Sequence, residues 1–185
     1  MANESKYPID KFLEEVLARK EDRGFLAELK CGTNENLQAR AWPHIAHQGF
    51  DFTDTAKRKI WLTIGGLTAL LVNSELVTSD WSTIGTVMRK IKGGDSKSNE
   101  NGLKTYEAKF RRVLNCSDSN ELCDVVISIV RTAERKNIKV NCRQLFWDLC
   151  DWDNEVKREK VRVRWARDFY GVINNNESDQ KESEQ

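Results

Sequence analysis

Apolar residues recur at steps of three and four along most of this chain, and that spacing predicts α-helices. The first apolar stripe covers residues 9–17, with a proline suited to the first helical turn. A longer stripe follows Thr53 and Asp54, either of which can cap its helix, and contains the pair Gly65-Gly66. Each of these glycines costs a helix about 1 kcal/mol relative to alanine, which close approach of a neighbouring helix could offset.

Polar residues with capping side chains precede most of the other apolar stripes. These candidate caps are Asp22, Ser79 or Asp80, Asp118 or Ser119, Asn141, and Asp153 or Asn154. Gly32 is expected to stop the second helix and Asn137 to end the helix that starts near residue 119. No segment shows a convincing apolar alternation of period two, so we expect an all-α fold of about eight to nine helices.

One polar, glycine-containing segment without helical periodicity, residues 93–101, interrupts the pattern. We interpret it as a linker between two small helical-bundle subdomains, residues 1–92 and residues 102–173. The final residues, 174–185, are polar and acidic, and we expect a disordered tail there.

The overall charge is almost balanced, but it is unevenly distributed along the chain. Net charge is +1 for the 185 residues, whereas residues 102–176 hold 15 basic and 11 acidic groups, a net charge of +4. The tail from Glu177 holds four acids and one lysine, a net charge of −3. The acidic tail therefore offsets a basic C-terminal half, which favours a polyanionic partner for that half.

The cysteine content and the absence of long apolar runs suggest the cellular compartment. The five cysteines form no CxxC pair, so small buried thiols in a reducing cytosol are the expected state. No apolar run has the length of a membrane span, and the charged N-terminus lacks a signal core. We expect a soluble, cytoplasmic protein without a membrane partner.

The last predicted helix, residues 155–173, combines an apolar stripe with a basic flank. Val161, Trp165 and Phe169 follow one another at steps of four. At about 100° per residue, one adjacent flank collects four cations: Lys157, Lys160, Arg164 and Arg167. A cationic row beside a docking stripe suits a phosphate backbone bound without regard to base sequence.

Patterns that would indicate catalysis or metal binding are weak. His44 and His47 could share a helix face, but no suitable cluster of ligands lies near them in sequence, so a pair without a metal is favoured. The acidic cluster of residues 148–155 could suit a divalent-metal nuclease, yet it spans a helix end and a helix start, where carboxylates serve as caps. We expect no catalytic residues, no metal and no cofactor.

Five segments of the chain, in family order, resemble the CasB family, the small subunit of the type I-E CRISPR surveillance complex Cascade. They are Asp22-Arg23-Gly24 with the helix to Lys30 and Gly32, Ala41-Trp42-Pro43, the Ile84-Gly85 helix, Phe110-Arg111-Arg112-Val113-Leu114 with the Glu121–Lys136 helix, and Leu145, Leu149 and Trp152 with Arg164-Trp165-Ala166-Arg167-Asp168-Phe169-Tyr170. Together they cover residues 10–172, and the Trp-Ala-x-x-Phe-Tyr ending is the most specific part.

The resemblance implies an all-helical, non-enzymatic protein with two helical subdomains. Family members assemble as a pair inside Cascade, beside the backbone of the guide RNA (crRNA). They contact the RNA–DNA heteroduplex and help to hold the displaced strand. The implied partners are the other Cascade subunits, a second copy of this chain, crRNA and target DNA.

The sequence leaves three functional hypotheses. The first is a sequence-independent grip on nucleic acid that stabilises the R-loop in antiviral defence. Its site residues are the row on the last helix and a further set at matching basic positions: Lys30, Lys57, Arg58, Lys109, Arg111, Arg112 and Arg131. The second is a purely structural adaptor whose arginines pair with acidic surfaces of neighbouring subunits. The third is an enzyme that uses the carboxylates of residues 148–155.

Overall fold

The computed structural model describes residues 7–94 and 100–171, and within these ranges the chain folds into nine α-helices without a β-sheet. The helices are α1 (Pro8–Ala18), α2 (Arg23–Lys30), α3 (Trp42–Ile45), α4 (Thr55–Val72), α5 (Ile84–Gly94), α6 (Glu100–Leu114), α7 (Ser119–Arg135), α8 (Cys142–Asp151) and α9 (Glu155–Tyr170). Two 3₁₀ helices, Cys31–Thr33 and Gln38–Ala41, join α2 to α3. The predicted all-α fold class is confirmed.

Most helices begin where a polar side chain accepts the first free backbone N–H groups. Asp54 caps α4 by accepting from Lys57 N at 3.0 Å, and Asp118 caps α7 by accepting from Glu121 N at 2.8 Å. Asp22, Asn141 and Asn154 cap α2, α8 and α9 in the same way. At the end of α7, Asn137 adopts a positive φ of 53°, as a helix-ending residue often does.

The predicted start of α5 at Ser79 or Asp80 is wrong, because the helix begins only at Ile84. Residues 76–80 instead run alongside the chain before α8. Thr78 N donates to Val140 O at 3.1 Å, Val140 N donates to Leu76 O at 2.8 Å, and Val77 pairs with Val140 in an isolated parallel β-bridge. These backbone bonds hold the segment extended, so α5 forms only after it.

Helix α4 lies at the centre of the fold. Every residue from Ile60 to Ala69 is buried, so this helix is covered on all sides. It contacts α1, α2 and the first 3₁₀ helix from the N-terminal half, and α7 and α8 from the C-terminal half. Helix α5 lies along α9, which in turn contacts α8.

Two glycines allow α4 to approach the end of α2 closely. A Cβ atom at Gly66 would lie 2.6 Å from Thr33 Cγ2, and one at Gly32 would lie 2.6 Å from the Leu62 carbonyl oxygen. The close approach suggested for the Gly65-Gly66 pair is therefore present. It accounts for glycine at a position where the helix alone would favour alanine.

The proposed division into two subdomains stays a prediction. Of the predicted linker, residues 93 and 94 end α5, residues 100 and 101 begin α6, and residues 95–99 lie outside the described part of the chain. The predicted tail, residues 174–185, also lies outside it. No helix in the described ranges is long and apolar enough to cross a membrane.

Candidate nucleic-acid interface

Two cavities flank the exposed face of α7, and both are lined by Asp124. The larger, about 450 Å³, lies between α5, α6 and α7 and is bordered by Lys109 and Arg112. The smaller, about 240 Å³, lies between the first 3₁₀ helix, α4 and α7 and is bordered by Arg58 and Lys59. Because the two cavities share Asp124, cations from α4 and α6 lie on either side of one helix.

A fourth predicted residue joins this group from α7 itself. Arg131 is exposed, and its Nη2 donates to Thr33 Oγ1 at 3.1 Å, where Thr33 lines the smaller cavity. We call the set of Arg58, Lys109, Arg112 and Arg131 the α7 basic surface. Four residues that are far apart in sequence are thus brought to one side of the molecule.

The guanidinium of Arg58 is held in place by uncharged groups. Its Nη1 donates to the Phe52 carbonyl oxygen at 2.7 Å, and its Cζ lies 5.5 Å from the centroid of the Phe52 ring and 5.8 Å from that of Trp42. These contacts orient the side chain and leave its charge without a carboxylate partner in the described residues. A positioned cation of this kind suits a phosphate.

Lys109 and Arg112 are the freest charges of the α7 basic surface. Both are exposed on α6, and neither forms an ion pair with any described residue. The Nζ atom of Lys109 lies 5.6 Å from the centroid of the Tyr106 ring. Arg111 is exposed on the same helix and is likewise without an ion pair in that part of the chain. Side chains of this kind can neutralise phosphates without first breaking an internal salt bridge.

Sequence reasoning missed Lys59 as a site residue. Its Nζ lies 2.8 Å from Asp124 Oδ2 and 3.8 Å from Glu35 Oε1, so it offsets the one acid that lines both cavities. Its place in the basic run Lys57-Arg58-Lys59 was visible in the sequence. The pairing with α7 was not, because it joins residues 65 positions apart.

Two other predicted residues lie elsewhere. Lys30 lines a separate cavity with Lys20 and Glu75, and it has no ion pair in the described ranges. Lys57, in the first turn of α4, forms an ion pair with Asp54 at 3.1 Å and borders an apolar cavity. The structure therefore does not bring these two cations into the α7 basic surface.

On α9, three of the four predicted cations hold carboxylates of their own chain. Lys157 Nζ lies 2.9 Å from Asp151 Oδ1, and this hydrogen bond raises the pKa of Lys157. Arg167 contacts Asp168 Oδ1 through two nitrogens at 3.0 and 3.1 Å. Among the described residues, Lys160 alone of the four has no such partner. The sequence showed the row of cations but not the acids that face it.

The pairing of Arg164 with Asp148 is mainly internal. The Asp148 side chain is 1% exposed and also accepts from Trp165 Nε1 at 2.7 Å and from Gln144 Nε2 at 2.8 Å. Burial raises the pKa of Asp148, while the charge of Arg164 and these hydrogen bonds oppose the increase. This network joins α8 to α9 and keeps the Arg164 charge occupied.

The exposed side of α9 carries an apolar row that sequence reasoning also missed. Val156, Val163 and Tyr170 are 68%, 60% and 51% exposed, and they are spaced seven residues apart. A step of seven returns almost to the same face of a helix, so the three side chains are aligned. The spacing itself was the signal that could have revealed them.

The carboxylates of residues 148–155 are individually occupied by protein groups. Asp153 accepts from Ser119 N at 2.7 Å and from Ser119 Oγ at 2.6 Å, so it caps the start of α7. Within the ranges that the structure covers, no three His, Cys, Asp or Glu side chains are placed to hold a metal ion. Burial raises the pKa of the Cys123 thiol to about 12, which disfavours a nucleophilic thiolate.

A comparison with models of protein families gives a match over residues 25–170 to the family described as CRISPR-associated protein Cse2. The chain belongs to the Cse2 family. Cse2, also called CasB, is the small subunit of type I-E Cascade, which confirms the resemblance noted in the sequence. The Cse2 family is not known for an enzymatic activity, and its members function within a complex.

A solved structure of similar fold supports this assignment. The Cse2-family chain is similar to a CRISPR-associated protein of the Cse2 family from Thermus thermophilus, with a TM-score of 0.66 and 19% sequence identity. The superposition covers 88% of this chain and 97% of the other. At that identity the likeness shows a common fold. A comparison with curated proteins gave no match.

Proposed function

We propose that this Cse2-family protein is a non-catalytic subunit of Cascade that grips nucleic-acid backbone. It contacts the guide RNA, the target DNA and the displaced strand through basic helix faces and thereby stabilises the R-loop. The observation that carries the proposal is the α7 basic surface, where four cations from three helices have no carboxylate partner among the described residues. Neutralising phosphates there releases counterions and favours the open R-loop over reannealed duplex.

The α7 basic surface supports this function better than the row on α9. Three α9 cations would have to leave carboxylates before they could hold phosphate, whereas Lys109 and Arg112 would not. In RNA-guided recognition, base pairing reads the sequence and the protein holds the backbone. A surface of arginines and lysines without a base-reading motif suits that task.

The test is a double charge reversal, Lys109→Glu with Arg112→Glu, in the reconstituted complex. We expect weaker target binding by a similar factor for all sequences, and a salt slope lower by about one unit for each lost phosphate contact. The matched control is Lys11→Glu with Lys139→Glu, which changes the charge equally at two exposed lysines without ion pairs in the described ranges. Unchanged binding and slope in the first variant would contradict the proposal.

The alternative is a structural adaptor with no direct grip on nucleic acid, and the exposed row on α9 is the observation in its favour. Val156, Val163 and Tyr170 could dock on a neighbouring subunit, with Lys160 and Arg167 beside them. Pull-down with partner subunits after RNase treatment separates the two functions. Full retention of the partners, together with no effect of the charge reversal on DNA affinity, would favour the adaptor.

A further inference from the structure

The larger cavity beside α7 has an apolar floor. Met88, Ile91, Val113 and Ile129 are all buried and line its base. The half-buried Tyr106 forms part of the wall. At about 450 Å³ the cavity falls within the range of about 300–1,000 Å³ that is usual for ligand pockets.

The rim of the same cavity is cationic and polar. Lys109 and Arg112 border it from α6, and Asp124 borders it from α7 with its charge offset by Lys59 at 2.8 Å. The hydroxyls of Ser128 and Thr132 donate to backbone carbonyl oxygens at 2.8 and 2.9 Å. Their lone pairs therefore remain able to accept hydrogen bonds at the rim.

Floor and rim together select one kind of occupant. An apolar floor with an aromatic wall disfavours a phosphate inside the cavity, because a buried charge would have no partner there. The unpaired cations at the rim favour an anion directly outside it. A flat ring of low charge that is joined to phosphates has both properties, and an unpaired nucleotide is such a group.

We propose that this cavity accepts one unpaired base of the displaced DNA strand. The base lies against Tyr106 and the apolar floor, and its flanking phosphates contact Lys109 and Arg112. The proposal rests on the proposed function. It assigns the base to the displaced strand because guide and target bases are paired with each other in the heteroduplex, which leaves the displaced strand with free bases.

The first test compares two strands of equal length and charge. Fluorescence anisotropy at low salt measures binding of the full chain to oligo(dT) and to a matched abasic oligodeoxynucleotide. We expect about tenfold weaker binding of the abasic strand, since stacking of a base on an aromatic side chain is lost. Equal affinities for the two strands would overturn the cavity proposal and leave the backbone grip intact.

The second test fills the cavity from its exposed edge. Ser128 is exposed on α7, so Ser128→Phe places a ring over the cavity without altering the core. We expect this variant to bind oligo(dT) about as weakly as the abasic strand, with abasic binding unchanged. The control, Ala108→Phe, adds a ring on α6 at an exposed position that does not line the cavity and should keep the wild-type difference.

The remaining outcomes are also decisive. If wild-type protein binds neither strand, both the proposed grip and the cavity proposal are overturned. If Ser128→Phe binds oligo(dT) like wild type, the base does not use this cavity. A larger base-dependent gain for oligo(U) than for oligo(dT) would assign the cavity to RNA and overturn the choice of the displaced strand. Circular dichroism checks folding, and the wild-type comparison decides even if the variant does not fold.

Discussion

At the scale of single residues, Arg164 shows that a cation on a basic helix can serve the fold. Its guanidinium holds Asp148, whose carboxylate also receives Trp165 Nε1 and Gln144 Nε2. A carboxylate that is 1% exposed needs such partners, because a buried charge without them is costly. Arg164 is therefore better placed to join α8 and α9 than to bind phosphate.

Arg164→Met tests this structural role. Removing the cation leaves Asp148 buried without its charge partner, so we expect a loss of about 3 kcal/mol in the free energy of unfolding at pH 7.5. Without Arg164 the pKa of Asp148 should rise further above its unfolded-state value, since burial would be less opposed. The folded variant then binds this proton more tightly than the unfolded chain does, so the loss should be smaller at pH 5 and grow as the pH rises.

Urea denaturation at both pH values measures the effect of Arg164→Met. The control is Lys160→Met, which removes an exposed cation without an ion pair in the described ranges and should change stability by less than about 0.5 kcal/mol. Equal stabilities of Arg164→Met and Lys160→Met at pH 7.5 would show that the Asp148 contact is unimportant.

At the scale of helices, local signals predicted most of the starts and one signal misled. Asp54, Asp118 and Asn141 were recognisable as caps because a cap acts on N–H groups two or three residues away. Ser79 and Asp80 have equally good capping side chains. They fail because backbone bonds to Val140, some 60 residues later, hold the preceding segment extended, and no local pattern carries that contact.

The contact between α5 and α9 depends on Gly85. A Cβ atom there would overlap the carbonyl oxygen of Trp165, which is backbone and cannot rotate away. We therefore expect Gly85→Ala to push the helices apart and lower the free energy of unfolding by about 2–3 kcal/mol. Thermal unfolding followed by circular dichroism measures the change.

A second glycine of α5 provides the matched control for Gly85→Ala. Gly93 is exposed near the C-terminal end of the same helix, and a Cβ atom there meets nothing within 4 Å. Gly93→Ala should leave stability unchanged or raise it by up to about 1 kcal/mol through helix propensity. A similar effect of both substitutions would show that helix propensity, and not the contact with Trp165, governs α5.

At the scale of the whole molecule, the sequence predicted the fold class and the basic helices but not how the cations are grouped. Helical periodicity is local, so the all-α fold could be inferred from it. The α7 basic surface joins Arg58 to Lys109 and Arg112 only because α4 and α6 pack near α7. Spacing along α9 predicted a row there, but acids from α8 and from α9 itself occupy most of it.

The charge distribution over the whole chain leads to a prediction for the acidic C-terminal segment. Residues 174–185 hold four acids and one lysine, so truncation after Ile173 raises the net charge from +1 to +4. We expect the truncated protein to bind single-stranded DNA more tightly, on the order of threefold at low salt, because repulsion of phosphates is removed. Anisotropy titrations at low and high salt measure this gain.

The control for the truncation keeps the length and removes the charge. Replacing the segment's acids with their amides, for example Glu177→Gln and Asp179→Asn, should reproduce the gain if charge is the cause. The gain should also shrink at high salt, since screening weakens interactions between exposed charges. Equal affinities of the full and truncated proteins at low salt would show that the segment does not influence binding.

The central position of α4 also has a consequence for biosynthesis. This helix ends at Val72, whereas α7 and α8, which cover two of its sides, are complete only at Asp151. At ribosomal speeds of about 5–20 residues per second, roughly 4–16 s separate these two points. During that interval, apolar side chains such as Ile64 and Leu67 await their cover, so pauses in translation between the two points would favour aggregation of the nascent chain.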